Sequence, residues 1–510
     1  MFSSIYGADV SGIEARVICI EADVSDGLPV FDMVGYLASA VKEARERVRI
    51  AIRNMGIHFP AKRITVNLSP ANLRKEGTSF DLPIAISLLT AFGFLSKECT
   101  ENTMMIGELG LDGRVHAIKG VLAMIMEGKK QGVQQFIVPE KNVREGAVLE
   151  GIRVYGVKTL EQTMKFLRGE CPLAPTRISF EEWKKEQREV DDFADIIGQG
   201  PAKRAAEIAI SGKHNLLMIG PPGSGKTMLA RRLPGIMPEL SLQESLEITK
   251  VYSICGLLPE GDMVMTKRPY RAPHHTITPT ALTGGGKIPM PGEITLAAKG
   301  VLFLDELPEF ARSSLEVLRQ PLEEHKVTIS RLGRSYEFPT DCVFVAAMNP
   351  CRCGYFPDRE RCRCTTGEIQ RYLGKISEPL LDRMDLCVET GMPDFQLYGR
   401  GDESSEDIRE RVEQAMQRQR KRYRGERFSY NGELPESMLS KYCPLGDMEQ
   451  EYLMMFFREG NCSMRKMARV LKVARTIADL EESASINEEH LTEAMRFRSV
   501  DRNYWGCLYE

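Results

Sequence analysis

The chain carries almost no net charge: 68 Lys and Arg against 71 Asp and Glu leave −3 over 510 residues. That excludes a generally basic nucleic-acid coat, so any nucleic-acid contact must be a local patch. A long apolar run is also missing. The longest, Leu82 to Leu95, is too short to span a bilayer and follows Asp81. Met1-Phe2-Ser3-Ser4-Ile5-Tyr6-Gly7-Ala8-Asp9 has neither a charged n-region nor an apolar h-region, so no signal peptide is expected. Thirteen cysteines in a chain this long do not make a secreted disulfide scaffold. No internal repeat or low-complexity tract appears. With 43% hydrophobic and 27% charged residues, the composition is that of a soluble globular protein of roughly two to four domains.

Gly220-Pro221-Pro222-Gly223-Ser224-Gly225-Lys226-Thr227 satisfies the phosphate-loop pattern G-x-x-x-x-G-K-[ST] at every required position. Asn215 to Ile219 before it reads as a short buried strand, and Thr227 to Leu233 after it as an amphipathic helix. The glycines let backbone N–H groups close around phosphate oxygens, and the helix N-terminus adds positive dipole. Lys226 is placed to reach the β- and γ-phosphates of ATP, and Thr227 to ligate Mg²⁺. A nucleotide site in a cysteine-containing chain without a leader predicts a reducing, cytoplasmic setting.

Ahead of that loop, residues 1 to about 168 read as an α+β domain. Strands are expected at Ser11 to Ile20 and Arg63 to Leu68, a charged helix over Val34 to Met55, and a hairpin over Gly107 to Val115 with an Asp-Gly turn. Lys75-Glu76-Gly77-Thr78-Ser79 and Gly107 to Gly120 make this domain resemble the proteolytic domain of Lon-type proteases. In that family a lysine serves as base for a serine nucleophile. Ser79 aligns with the nucleophile, but the lysine position falls on Leu122, and Lys119 and Lys129 are out of register. The resemblance therefore implies a Lon-like fold without a complete catalytic dyad. Residues 169–192, with Pro172, Pro175 and the charged run Glu181 to Glu186, read as a linker.

Residues 193 to about 395 carry the remaining nucleotide chemistry. Val301-Leu302-Phe303-Leu304-Asp305-Glu306 is an apolar strand ending in two acids. Asp305 would hold Mg²⁺ through water, and Glu306 would orient and polarise the attacking water. Val343 to Met348 is a second buried strand, ending at Asn349. The order phosphate loop, acidic strand, amide strand suits a doubly wound parallel sheet whose ligands gather at strand C-termini.

Arg268-Pro269-Tyr270-Arg271-Ala272-Pro273-His274-His275, Gly284-Gly285-Gly286, Pro291-Gly292-Glu293, Leu304 to Glu309 and Pro379 to Asp385 together resemble the magnesium-chelatase-like AAA+ ATPases of the YifB/ComM type. With the Lon-like domain in front, the resemblance covers nearly the whole chain. It implies Asn349 as the sensor 1 amide, Arg383 as an arginine finger acting on a neighbouring subunit's ATP, Arg465 as the sensor 2 arginine and the segment around Ile197 as the packing surface for adenine. It also implies a homo-oligomeric ring, a hexamer, working on DNA in branch migration or unwinding during uptake and recombination. A metal-insertion motor of the chelatase type and a protein-remodelling ATPase remain open alternatives.

Three further features stand out. Lys326 to Pro339 reads as a β-hairpin with Gly333 at the tip, where such ATPases carry a pore hairpin; Arg331 and Arg334 would contact phosphates, and a merely solvated hairpin is the alternative. Cys351, Cys353, Cys362 and Cys364 match the ligand count of a structural Zn²⁺ site, although C-x-C is tighter than the usual C-x₂-C. Reduced cysteines without metal are the alternative. His274 and His275, if in a strand, point to opposite faces and lack a third ligand, which favours structural or DNA-facing roles over a metal site. From 396 to 510 the chain reads as a helical lid. Its basic cluster Arg418, Arg420, Lys421, Arg422 and Arg424 is read as solvated or phosphate-facing, and Arg465, Arg469 and Lys472 share a stripe of a helix that Ser463 would cap.

Overall fold

The computed structural model describes residues 1–185, 191–258, 264–286, 288–331, 334–392, 403–459 and 464–505. They form two compact units, Met1–Arg188 with Ser241–Thr266 and Glu189–Leu240 with Lys267–Glu510.

The first unit is built on a seven-stranded mixed sheet. Its strands lie in the order Val30–Val34, Arg63–Ser69, Glu14–Ser25, Phe2–Ser11, Thr103–Met105, Gln135–Pro139 and Arg153–Val157. In Glu14–Ser25, Ile18, Ile20, Ala22 and Val24 are buried at every second position, the period that puts one face of a strand against a core. The apolar run after Asp81 forms helix Asp81–Ala91, buried over all eleven residues. That burial explains its lack of a polar face. Asp81 is itself buried and takes a two-pronged pair from Arg47, at 2.7 and 3.0 Å. The helix expected over Val34 to Met55 begins later, at Ser39, because Val34 is claimed by the sheet, opposite Asn67.

Helix Leu242–Cys255, grouped by sequence with the ATPase core, belongs to this first unit. Ser241 and Glu244 cap it reciprocally, and Gly256 ends it in the left-handed region. Ser253 Oγ donates to Glu145 at 2.5 Å and accepts from the Gly120 N–H at 3.1 Å. Part of the segment 169–192 is folded here too: Trp183 Nε1 donates to Val264 O at 3.1 Å beside Leu122, Val148 and Leu246.

The second unit has a five-stranded, wholly parallel sheet, ordered Tyr270–Arg271, Val301–Leu304, Val343–Met348, Leu216–Ile219, Leu386–Glu389. The three strands Val301–Leu304, Val343–Met348 and Leu216–Ile219 are buried throughout, as strands covered on both faces must be. Lys326–Arg331 and Arg334–Pro339 pair antiparallel as the expected hairpin, with Arg331 opposite Arg334. The tip at Gly333 lies outside the described residues, and so does Ser463.

From Ser405 this unit is helical, with Ser405–Arg422, Met464–Leu480 and Glu488–Trp505 the long helices. Here the basic cluster departs from its sequence reading. Arg418 donates to Asp479 O and Glu482, Arg420 to the Tyr430 hydroxyl, and Arg422 to both carboxylate oxygens of Asp479. Lys421 and Arg424 stay exposed. The arginines tie helices together because Asp479 is 1% exposed and must be paired. Arg475, 2% exposed, shares it, as does Asn431 Nδ2 at 2.9 Å. Asp479→Ala should therefore destabilise the unit by about 3 kcal/mol, leaving Arg475 buried without its partner; urea unfolding measures it.

Candidate nucleotide-binding site

All five strands of the second unit run the same way, so the loops leaving their carboxyl ends share one edge. The loop after Ile219 holds Lys226 and Thr227, the loop after Leu304 holds Asp305 and Glu306, and Asn349 follows Met348. Three parts of the sequence, the outermost separated by 123 residues, thus converge.

Lys226 opens helix Lys226–Ile236, with Gly225 at its N-cap in the left-handed region at φ 86° and Gly223 at φ 78°. These angles suit glycine. The Lys226 ammonium is buried, and it reaches Gly220 O at 2.8 Å, Pro221 O at 2.9 Å, Ser224 Oγ at 3.3 Å and Asn349 Oδ1 at 3.3 Å. Burial pushes its pKa down, and the negative charge of Asp305 opposes that shift. Thr227 Oγ1 donates to Asp305 Oδ2 at 2.7 Å, while Asp305 Oδ1 accepts the Glu306 N–H at 2.9 Å. Hydroxyl and carboxylate therefore meet at one point, where their oxygens could together hold a divalent cation. Glu306 follows with φ 51° and a half-exposed side chain.

Residues that sequence motifs passed over complete the cradle. Thr390, just past the Leu386–Glu389 strand, shares a hydrogen bond with Ser224 Oγ at 2.8 Å. Gln199 Nε2 donates to Ser224 O at 3.1 Å and Gly391 O at 2.6 Å. This brings the Asp195–Gln199 segment, with half-buried Ile197, against the phosphate loop. Beside Gly220 and Pro221 opens a cavity of about 720 Å³, whose walls include Thr390, Arg204, Phe356 and Tyr504.

His274 and His275 correct the strand reading. The strand ends at Arg271, and the two rings lie together, 4.0 Å apart at 34°, rather than on opposite faces. His275 Nδ1 is 3.9 Å from Glu306 Oε2. Among the described residues, the only group spaced to hold a metal ion is Cys351, Cys353, Cys362 and Cys364, whose ligand atoms all lie within 4.8 Å of one another.

Two arginines stand away from this cluster. Arg383 donates to Arg319 O at 3.0 Å, Pro379 O at 2.7 Å and Glu323 Oε2 at 2.5 Å, so its carboxylate partner is Glu323 and not its neighbours Asp382 or Asp385. Arg465 is exposed at the start of helix Met464–Leu480. One turn on, Arg469 donates to Met384 O at 3.3 Å and sits 3.7 Å from Asp385 Oδ1. Burial alone would raise the Asp385 pKa, but His214, 3.6 Å away, and the Arg469 charge hold it well below the usual carboxylate range.

In the first unit, Ser79 is buried and its Oγ donates to Ala8 O at 2.8 Å. Leu122 is fully buried.

Comparison with known proteins adds the following. Family models described as magnesium chelatase, subunit ChlI, match residues 192–396; as subunit ChlI of Mg-chelatase, residues 20–142; and as the subunit ChlI C-terminal region, residues 402–498. The chain is 40% identical over 506 residues to competence protein ComM of Haemophilus influenzae, covering 98% of this chain and 97% of that one. It is 41% identical over 501 residues to the protein YifB of Salmonella typhimurium, covering 96% of each. A peroxisomal Lon protease homolog of Oryza sativa is 25% identical over 196 residues, 33% of this chain and 20% of its own.

A Cβ on Gly220 would fall 2.1 Å from Thr390 Oγ1 and 2.3 Å from Thr390 O. Gly220→Ala should therefore push the phosphate loop off the strand and weaken binding of a fluorescent ATP analogue by at least about tenfold. A titration of the variant, with circular dichroism as a check on folding, measures this.

Proposed function

Because this chain belongs to the magnesium-chelatase-like family of ComM and YifB, we propose that it is an ATP-hydrolysing AAA+ motor that acts on DNA, in branch migration or unwinding during DNA uptake and recombination. The observation that carries the ATPase reading is the meeting of Lys226 with Asn349 and of Thr227 with Asp305. In this reading the phosphate loop from Gly220 to Thr227 grips the phosphates, and Lys226 exchanges its carbonyl partners for phosphate oxygens. Thr227 and Asp305 hold Mg²⁺, which neutralises phosphate charge when bound. Glu306 orients and polarises the attacking water, and Asn349 stands between the acidic strand and the γ-phosphate as the sensor 1 amide. Ile197 packs beside adenine, and Arg465 belongs to the lid. Arg383 acts on a neighbouring subunit's nucleotide in a hexameric ring, after release from Glu323. The four cysteines add a bound Zn²⁺. The first unit is a Lon-like domain without protease chemistry, a reading that the Ser79–Ala8 hydrogen bond and the burial of Leu122 support.

Gripping phosphate and activating water are separable tasks. Lys226→Ala should abolish nucleotide binding, whereas Glu306→Gln should bind ATP normally and turn over about a hundredfold more slowly. Turnover of Glu306→Gln at the wild-type rate would remove Glu306 from that role.

The DNA reading is supported by the hairpin Lys326–Arg331 and Arg334–Pro339, whose described end exposes Arg331. The relative from Haemophilus influenzae is named as a competence protein, which agrees with work on incoming DNA. Single-stranded or branched DNA should stimulate ATP hydrolysis, and affinity should fall steeply with salt as phosphate contacts release counterions. Replacing Arg331 and Arg334 by alanine should flatten the slope of log affinity against log salt by about 1.5 and leave basal ATPase intact. An ATPase rate indifferent to every form of DNA would hand the site to a protein-remodelling motor.

A further inference from the structure

We propose that a Zn²⁺ held by Cys351, Cys353, Cys362 and Cys364 clamps the loop after the sheet onto the phosphate loop, so that nucleotide affinity depends on the metal. The proposal rests on the zinc reading above and adds its consequence for the ATP site.

The sulfur positions fit the metal. Four thiolates at about 2.3 Å from a tetrahedral zinc stand about 3.8 Å from one another. Cys351 and Cys362 are 3.8 Å apart, Cys353 and Cys362 3.6 Å, and Cys351 and Cys353 3.3 Å. A disulfide would require about 2.05 Å between one pair and would leave the other two sulfurs unused. Here the sulfurs group as a set of four. The Phe356 N–H is aimed at Cys351 Sγ at 3.5 Å, the kind of outer hydrogen bond that orients a metal-bound thiolate. Cys351 and Cys362 are buried, and thiolates crowded out of water need a cation between them.

The loop needs such a staple. Between strand Val343–Met348 and helix Thr366–Leu373 the chain forms neither helix nor strand, and irregular segments of this length inside a compact unit are uncommon without a constraint. It also lies where a constraint would matter. Asn349, two residues before Cys351, accepts from Lys226. Gly354, between the two C-x-C pairs at φ 86°, is pressed so closely on the phosphate loop that a Cβ there would fall 2.5 Å from Pro222 Cδ. Phe356 and Pro357 wall the same cavity as Gly220 and Pro221. Bound zinc closes the loop from Cys351 to Cys364 and holds Asn349 and Pro222 in place. Without it the thiolates take up protons and no longer share a ligand, the loop regains its conformational entropy, and the partner surfaces of the phosphate loop are lost.

The test reads metal and nucleotide separately on the full-length protein. Elemental analysis should find about one zinc per chain, and Cys362→Ser should lose it. Zinc released from the wild type with a thiol-blocking reagent and a chelator, after which the reagent is reversed and Mg²⁺ restored, should leave a protein that binds a fluorescent ATP analogue at least about tenfold more weakly. Adding Zn²⁺ back should restore the affinity. Gly354→Ala should keep its zinc and still lose affinity, because its added methyl meets Pro222. A chain that neither contains zinc nor takes it up overturns the metal reading. Should zinc be present while both its removal and Gly354→Ala leave affinity within about twofold, the clamp is overturned and the metal site stands. Release and re-addition on the wild type decide the matter if Cys362→Ser does not fold.

Discussion

An ammonium group taken out of water has to be given acceptors, and the buried Lys226 has four within 3.3 Å. Two are carbonyls of its own loop, which can turn inward only because Gly223 and Gly225 adopt left-handed backbone angles. The fourth is Asn349, which arrives on a different strand. An unpaired buried lysine would lose its proton or drag the loop open, so the position of Asn349 and the shape of the phosphate loop are set together. The parallel sheet makes this meeting workable by delivering both loops to the same edge.

The same requirement acts at the other end of the unit. Asp385, beyond helix Glu378–Leu381, accepts the Asn215 N–H at 3.0 Å and faces His214 and Arg469. His214 reaches helix Met464–Leu480 through Thr476 at 2.7 Å. A chain of buried polar groups therefore joins the strand that feeds the phosphate loop to the carboxyl-terminal helices. Such a network resists partial loosening, since each broken link leaves a buried group unsatisfied. It also gives Arg469 and the arginines at 418 and 422 their work, and it is why part of a cluster that looks basic in one dimension is paired with acids in three.

Much of the candidate site was legible in the chain because its motifs are local. A phosphate loop needs glycine, lysine and threonine at fixed offsets, and the strand that ends in Asp305-Glu306 needs an apolar run followed directly by acids. No such offset marks Thr390 or Gln199, whose partner Ser224 is distant in sequence, or the close approach of the His274 and His275 rings. The segment 241–266 was equally opaque: an apolar helix face fits either core, and only the hydrogen bonds of Ser253 with Glu145 and Gly120 place it in the first unit.

Local pattern alone marked the strand and helix around the glycine-rich loop, the acid-ended strand and the grouping of four cysteines, because each depends on residues close together in the chain. Which distant groups those elements meet was decided by the tertiary structure. It paired Arg383 with Glu323, left Arg465 exposed while Arg469 reached Asp385, and pressed Gly354 against Pro222. The reason is physical: hydrogen bonds and ion pairs across the fold are chosen by burial, since any polar group that the sheet and helices cover must find a partner wherever the chain brings one within reach.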